Sequence, residues 1–292
     1  MIKKNKFILG TAQFSKSYGL IGKKKLLIPD IKKILKYVIK KRIYSLDNSL
    51  NYTGSQKKIS LLKKKNWQII TKLKFSKKNL IKKDKKFLKS YVLKKIMLSK
   101  KELNIQKFDV LLINNFEIFN YNSKKKIYQI LKSIKKEKII NKFGYSIYNF
   151  KKLDKTIKDF CPDVIQCSYN IFDRRLNDKK LIKLIKKKRV EIHARSIFLQ
   201  GLLLCSLNHV PKKFQKWKKI FLKWEKWTKE KKITKLEACL SFAFSNKHIN
   251  KVVIGVKDVT ELREILNTKI YKKIRFPSFL MKDKNLIDPY KW

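Results

Sequence analysis

Short runs of β-branched and apolar residues alternate along the chain with longer lysine-rich segments whose apolar positions recur at spacings of three and four. The first pattern predicts strands and the second predicts helices with one buried face. Eight runs qualify as strands: residues 7–9, 43–46, 68–71, 109–113, 142–145, 164–167, 190–194 and 252–254. Helical patterns fall near 31–40, 55–65, 87–103, 123–136, 150–159, 178–188, 212–246 and 260–266. No stretch rich in Pro, Gly or Ser separates these units. Eight β/α units in unbroken succession describe a (β/α)8 TIM barrel, with residues 1–292 read as a single domain. A doubly wound sheet would place a GxGxxG or GxxxxGK[ST] turn after an early strand, and the chain has neither.

The chain of 292 residues is 43% hydrophobic and 12% aromatic, enough for a full core, while 7 Gly and 5 Pro exclude collagen-like and low-complexity classes. Lys and Arg number 76 against 21 Asp and Glu, a net charge of +55. Such a surplus ordinarily points to a polyanion partner. Here lysine is spread along nearly the whole chain, with abundant Ile and Asn and few Gly, Ala and Pro, as AT-rich codon usage would give. No specific nucleic acid is therefore expected, and a basic polyanion-binding protein is the third-ranked functional class. Cys161, Cys167, Cys205 and Cys239 form no CxxC pair and keep no metal-like interval from His193, His209 or His248. The expectation is reduced thiols in a cytoplasmic protein, with no metal site. The opening residues have too short an apolar run for a signal peptide, and the longest apolar stretch, 197–207, is too short and interrupted for a membrane span.

In a parallel barrel the reacting groups lie where strands end, on the loops of the carboxyl rim. The predicted strands end at Asp47, Lys72, Asn114, Ser146, Gln166, Arg195 and Gly255, so polar residues gather at one edge. Asp47, Tyr52 and Lys72 form the most suggestive group. A phenol titrates near pH ~10, and a neighbouring ammonium lowers that value by favouring the phenolate. Lys72, held by Asp47, would supply the ammonium; the same residues would also make an ordinary inter-strand ion pair beside a loop aromatic.

Taken with their neighbours, these residues resemble the aldo-keto reductases, barrel enzymes that use NADPH or NADH to reduce carbonyls. "ILGTAQFSKSYGL" is similar to the family's opening hairpin and first strand, and "YSLDNSLNYTGSQ" to its Asp, the Tyr five residues on and the Ser that starts the next helix. "IITKL" supplies the lysine, "DVLLINNFE" the fourth strand, "FGYSIYN" the fifth and "IQCSYNIFDR" the sixth. "ARSIFLQGLLL" resembles the loop that covers the cofactor, and "VVIGVKDVTELREIL" the last strand and the helix that meets the adenosine phosphate.

The resemblance implies NADP as cofactor, with NAD possible, and an aldehyde, ketone or aldose as the small-molecule substrate. It implies Tyr52 as general acid, tuned by Asp47 and Lys72. Ser146 and Gln166 would bind the carboxamide, and Arg195 falls where many members stack a tyrosine on the nicotinamide. Thr11 would lie beside the cofactor, Phe198 and Gln200 beside the pyrophosphate, and Gly255 at the end of the last strand. Lys257 and Arg263 would meet the 2′-phosphate. The chain departs from the pattern in three places. Asn114 stands where the family usually has His, so a hydrogen bond can be donated but no charge carried. Asp258 replaces a small hydroxyl residue, and Ile147 replaces an Asn. Asn114 also motivates a different class, a non-catalytic NAD(P)-binding sensor or subunit. His193, on the same strand face as Arg195 and deeper in the barrel, reads as a satisfied core histidine. Trp217, Trp224 and Trp227 read as the packed stripe of a long seventh helix. Oligomeric state is not legible.

Overall fold

The computed structural model describes residues 4–15, 20, 26–50, 52, 54–61, 66–76, 84–279, 281 and 283–292. Eight parallel strands close into a barrel in sequence order, β8 pairing back onto β1. They are β1 (Phe7–Gly10), β2 (Ser45–Asp47), β3 (Gln68–Leu73), β4 (Phe108–Asn114), β5 (Ile140–Ser146), β6 (Val164–Ser168), β7 (Glu191–Arg195) and β8 (Lys251–Ile254). The helices are α1 (Ala12–Ser15), α2 (Ile28–Lys40), α3 (Ser55–Ser60), α4 (Lys85–Leu103), α5 (Tyr121–Lys136) and α6 (Leu153–Asp159). After them come α7 (Lys179–Lys187), α8 (Lys218–Glu230), α9 (Lys235–Ser245), α10 (Val259–Asn267) and α11 (Lys284–Ile287).

Side chains alternate across each strand, and the register turns that alternation into layers. Outward residues such as Leu46, Ile69, Leu111, Ile113, Ile165 and Ile192 meet the helices in the main core. Inward residues Ile8, Ile70, Val110, Leu112 and Val164 form a small apolar plug inside the barrel. Below the plug the floor is polar: Ser45 Oγ donates to Gln68 Oε1 at 2.8 Å, Lys251 Nζ donates to Ser45 Oγ at 3.0 Å, and Lys142 pairs with Glu191. Above it the inward residues at the ends of β1 to β7 are polar or glycine, which leaves the rim free for chemistry, while β8 contributes Val253 to the lining. Gly144 is required by closure, since a Cβ there would stand 2.0 Å from the Val164 carbonyl oxygen.

The helices carry their own start signals. Asp84, Asn120, Asp178 and Asp258 each accept a hydrogen bond from the backbone N–H three residues on. The pattern over 212–246 is not one helix: a 3₁₀ segment (Lys212–Trp217) leads into α8, and α9 starts afresh after Lys232, whose φ is 51°. Thr234 and Glu237 form a capping box there, with Thr234 N donating to Glu237 Oε2 at 2.8 Å and Glu237 N to Thr234 Oγ1 at 3.1 Å. Amphipathic spacing persists across that break, so periodicity alone joined two helices that the cap separates. Trp224 and Trp227 stack at 5.5 Å in the core, whereas Trp217 donates to Asp283 at 3.2 Å. The helical pattern at 150–159 starts at Leu153, and that at 55–65 is described as helix through Ser60, residues 62–65 lying outside the described set. The expected opening hairpin is absent among the described residues: β1 leads into the single turn of α1.

All four cysteines are free thiols, and burial pushes that of Cys167 up to about 12. Among the described residues no helix is long and apolar enough to cross a membrane, and no three His, Cys, Asp or Glu are grouped to hold a metal ion.

Candidate active site

A cleft of about 530 Å³ opens at the carboxyl rim. Asp47, Tyr52, Lys72, Asn114, Gln166, Arg195, Phe198, Gln200, Gly255 and Lys257 all line it. The ends of β2 and β3 build its charged centre. Lys72 Nζ donates a short hydrogen bond to Asp47 Oδ2, and Gln166 Nε2 donates to Asp47 Oδ1 at 2.9 Å. Both ionic partners are nearly buried, with 6% of Asp47 and 8% of Lys72 exposed. Burial pushes the Lys72 amine below its usual value, Asp47 opposes that shift by charge and hydrogen bond, and Arg195 adds to the lowering.

The loop after β2 presents Tyr52 because its backbone is clamped to the neighbouring strand. Asn48 N donates to Ile70 O at 2.8 Å, Leu50 N to Lys72 O at 3.0 Å, and Tyr52 N to Ser49 O at 3.0 Å. The Lys72 ammonium lies 6.0 Å from the centre of the half-buried Tyr52 ring. Thr11 does not line the cleft. It is fully buried behind the rim and donates through N and Oγ1 to the Asp47 carbonyl oxygen at 2.9 and 3.0 Å. Ser55 Oγ donates to Thr11 O at 3.3 Å, so the ends of β1 and β2 and the start of α3 are laced together.

Across the barrel, Asn114, Ser146 and Gln166 are register partners on β4, β5 and β6. Asn114 Oδ1, Ser146 Oγ and Gln166 Oε1 are buried and make no hydrogen bond within the protein. Buried polar atoms are normally satisfied, so a row of three on adjacent strands marks a place for a polar ligand group. Ser146 is fully buried between its register partners Asn114 and Gln166, both of which line the cleft. Ile147 places its side chain in the core, and its carbonyl oxygen accepts from Arg195 at 2.9 Å.

At the other end, Gly255 abuts Gln13, whose Nε2 would stand 2.7 Å from a Cβ at that position. Lys257 N donates to Glu261 Oε2 at 2.7 Å, and Asp258 caps α10. Arg263 does not join this group: its guanidinium lies 5.5 Å from the centre of the Tyr37 ring, outside the cleft lining. Gln200, at φ 54°, accepts at its carbonyl from Leu20 N at 3.1 Å, which ties the loop after β7 to the loop after β1. Sequence reasoning did not single out Gln13, Ser49, Lys74, Tyr148 or Glu261, all of which line the cleft. Tyr148 carried a signal, two residues beyond Ser146, at the spacing that returns a strand to the same face.

His193 is in the core, 1% exposed, but it is not satisfied: neither ring nitrogen makes a hydrogen bond, and Nε2 stands 3.7 Å from Glu191 Oε2. Burial lowers its value, keeping the ring neutral despite Glu191.

Comparison with known proteins gives three results. The model of the Aldo/keto reductase family matches residues 6–273, and among curated proteins nothing matches. Among solved structures the chain is similar to aldo-keto reductase AKR11C1 from Bacillus halodurans in its holo form, at 14% identity and a TM-score of 0.68, covering 91% of this chain and 88% of that one. It is similar also to a thermostable aldo-keto reductase, Tm1743, in complex with the inhibitor epalrestat, at 19% identity and a TM-score of 0.66, covering 94% and 92%. At these identities the likeness concerns the fold.

Proposed function

Because this chain belongs to the aldo/keto reductase family, whose members are oxidoreductases that generally use NAD(P)H, we propose that it reduces the carbonyl of an aldehyde, ketone or aldose to the alcohol, or runs the reverse. The observation that carries this reading is the buried Asp47–Lys72 pair sharing one cleft with Tyr52. In it Tyr52 donates the proton that the reduced carbonyl oxygen needs. Lys72 holds positive charge near the phenol so that losing that proton costs less, and Asp47 keeps the ammonium charged against the burial that lowers it. Asn114 has an amide N–H₂ to orient the carbonyl oxygen, without the charge an imidazolium would add.

The residues fit a nicotinamide cofactor, which supplies the hydride when bound. Asn114 Oδ1, Ser146 Oγ and Gln166 Oε1 are unpaired acceptors suited to a carboxamide N–H₂, and Ser146 Oγ has a proton for its oxygen. Phe198 and Gln200 would flank the diphosphate and Lys257 the far end. Thr11 supports the site by fixing Asp47, and Arg263 would need to leave Tyr37 to reach a 2′-phosphate.

Asn114 favours one second reading, a protein that binds NAD(P) without turning it over. One experiment separates the two. Purified protein is incubated with NADPH or NADH and a panel of aldehydes and aldoses, following cofactor absorbance. The reductase reading expects turnover that Tyr52→Phe reduces by about 10²- to 10⁴-fold, with cofactor affinity unchanged. Equal rates in the two proteins would remove Tyr52 from the role, and binding without turnover on any carbonyl would select the sensor.

A further inference from the structure

The end of β7 presents a charged group that the proposed reduction does not use; a role for it rests on the reductase reading, because it requires a nicotinamide in the cleft. β6 and β7 pair Gln166 with His193 and Ser168 with Arg195, so Arg195 stands one step above the amide row. A ring whose carboxamide sits on Asn114, Ser146 and Gln166 therefore has the end of β7 as its neighbour, and the group that β7 presents to the cleft is a guanidinium.

That guanidinium is fixed in place. One terminal nitrogen donates to Ser168 Oγ at 2.9 Å and Ser196 Oγ at 3.3 Å, and the other donates to the Ile147 carbonyl at 2.9 Å. Its carbon lies 4.0 Å from the centre of the Tyr148 ring, a stacked cation–π arrangement. Tyr148 is braced in turn, because Glu117 Oε1 accepts from the backbone N–H of Tyr148 at 2.7 Å and of Asn149 at 3.0 Å. The result is a flat, permanently charged wall backed by an aromatic ring. Its charge reaches the centre of the cleft, where it opposes protonation of Lys72.

A nicotinamide ring is cationic when oxidised and neutral when reduced. A neutral aromatic wall would accept both forms; a fixed cation repels the first and tolerates the second. We propose that Arg195 sets the redox bias of the site, favouring binding of the reduced cofactor over the oxidised one, so that the cleft loads the reduced nucleotide and discharges the spent one. Asp47 does not cancel this effect because its charge is already committed to Lys72 and its second oxygen to Gln166.

The test is equilibrium binding. Dissociation constants of NADPH and NADP⁺, and of NADH and NAD⁺, are measured by titration of protein fluorescence for the native protein, Arg195→Gln and Arg195→Lys. The native protein is expected to hold the reduced form more tightly. Arg195→Gln, which retains hydrogen-bonding capacity but no charge, is expected to lower the oxidised-to-reduced ratio of dissociation constants by at least about tenfold, the effect of removing a like charge from a partly buried cleft. Arg195→Lys, which keeps the charge but not the fork that fixes it, is expected to give a ratio between those of the native protein and Arg195→Gln. A ratio unchanged in Arg195→Gln, with both forms still bound, overturns the assignment to Arg195 while leaving the nucleotide site standing. Failure of the native protein to bind any of the four nucleotides overturns the site itself and the inference with it.

Discussion

Asp47 is the residue on which the cleft converges. Its two carboxylate oxygens face Lys72 and Gln166, and its carbonyl takes both donors of Thr11. Replacing it by Asn strands a buried ammonium that, among the described residues, Asp47 alone holds charged against burial. Removing one partner of a buried pair costs about 3–5 kcal/mol, so Asp47→Asn should lose stability on that scale and most of any reductase activity. Urea unfolding alongside steady-state rates checks both. Adding Lys72→Met to Asp47→Asn should recover a large part of the stability and none of the activity, and a double variant no more stable than Asp47→Asn would contradict the pairing energetics. At this scale the centre of the site was legible, since Asp47, Tyr52 and Lys72 are fixed by strand ends and a short loop. The direction of Arg263 was not, because a helix surface residue has several rotamers and Tyr37 lies on another element. Nor was the pairing of Tyr148 with Arg195, which depends on a contact across β5 and β7 that no local spacing encodes.

At the scale of single elements, α10 and β7 each carry a consequence. Asp258 caps α10 by accepting from Glu261 N, and Glu261 turns back onto Lys257 N just ahead of the helix, so two carboxylates crowd its leading end. A 2′-phosphate approaching Lys257 meets two acidic groups, and Arg263 is stacked elsewhere. NADPH and NADH should therefore bind within about tenfold of each other, and Glu261→Gln should tighten NADPH selectively; a native preference of a thousandfold for NADPH would show that Arg263 swings in. On β7, His193 is buried and neutral, facing Glu191 on its own strand, Lys251 on the neighbouring β8 and Asp47 above. Its folded value lies below the ordinary 6.5. The unfolded chain thus binds the proton first as pH falls through 6.5, and stability drops with falling pH until the folded value is passed. Glu191, paired with Lys142, is held below the usual carboxylate range and stays ionised throughout that window. His193→Gln should flatten the decline between about pH 7 and pH 5.5, measured by urea unfolding; an unchanged slope would assign the decline to another group. The strands themselves were legible to within a residue or two at their ends because apolar runs bounded by lysine-rich segments leave little room to slip. The fused helix over 212–246 was misread because both halves keep the same face buried, while the Thr234 to Glu237 cap that separates them is a four-residue signal inside a long periodic one.

For the whole molecule the question is whether a charge of +55 is a binding device or a by-product. Lysines stand on exposed positions of helix after helix around the barrel, as on α7, where Lys179, Lys180, Lys183, Lys186 and Lys187 surround the buried Leu181 and Ile185. A charge spread this evenly makes a field without a groove, and nothing in it distinguishes one polyanion from another. Duplex DNA or heparin should bind weakly at low ionic strength, without sequence preference, and the affinity should collapse by about 10³- to 10⁵-fold between about 50 and 200 mM salt. The cleft is a separate matter. Its Asp47–Lys72 centre is buried, where screening is weak, so turnover at saturating cofactor should hardly change over the same salt range while the apparent affinity for the anionic nucleotide falls. Electrophoretic mobility shifts and reductase rates measured across one salt series give both slopes. Tight binding of one DNA sequence at physiological salt would make the basic surface the functional one and move the cleft to second place.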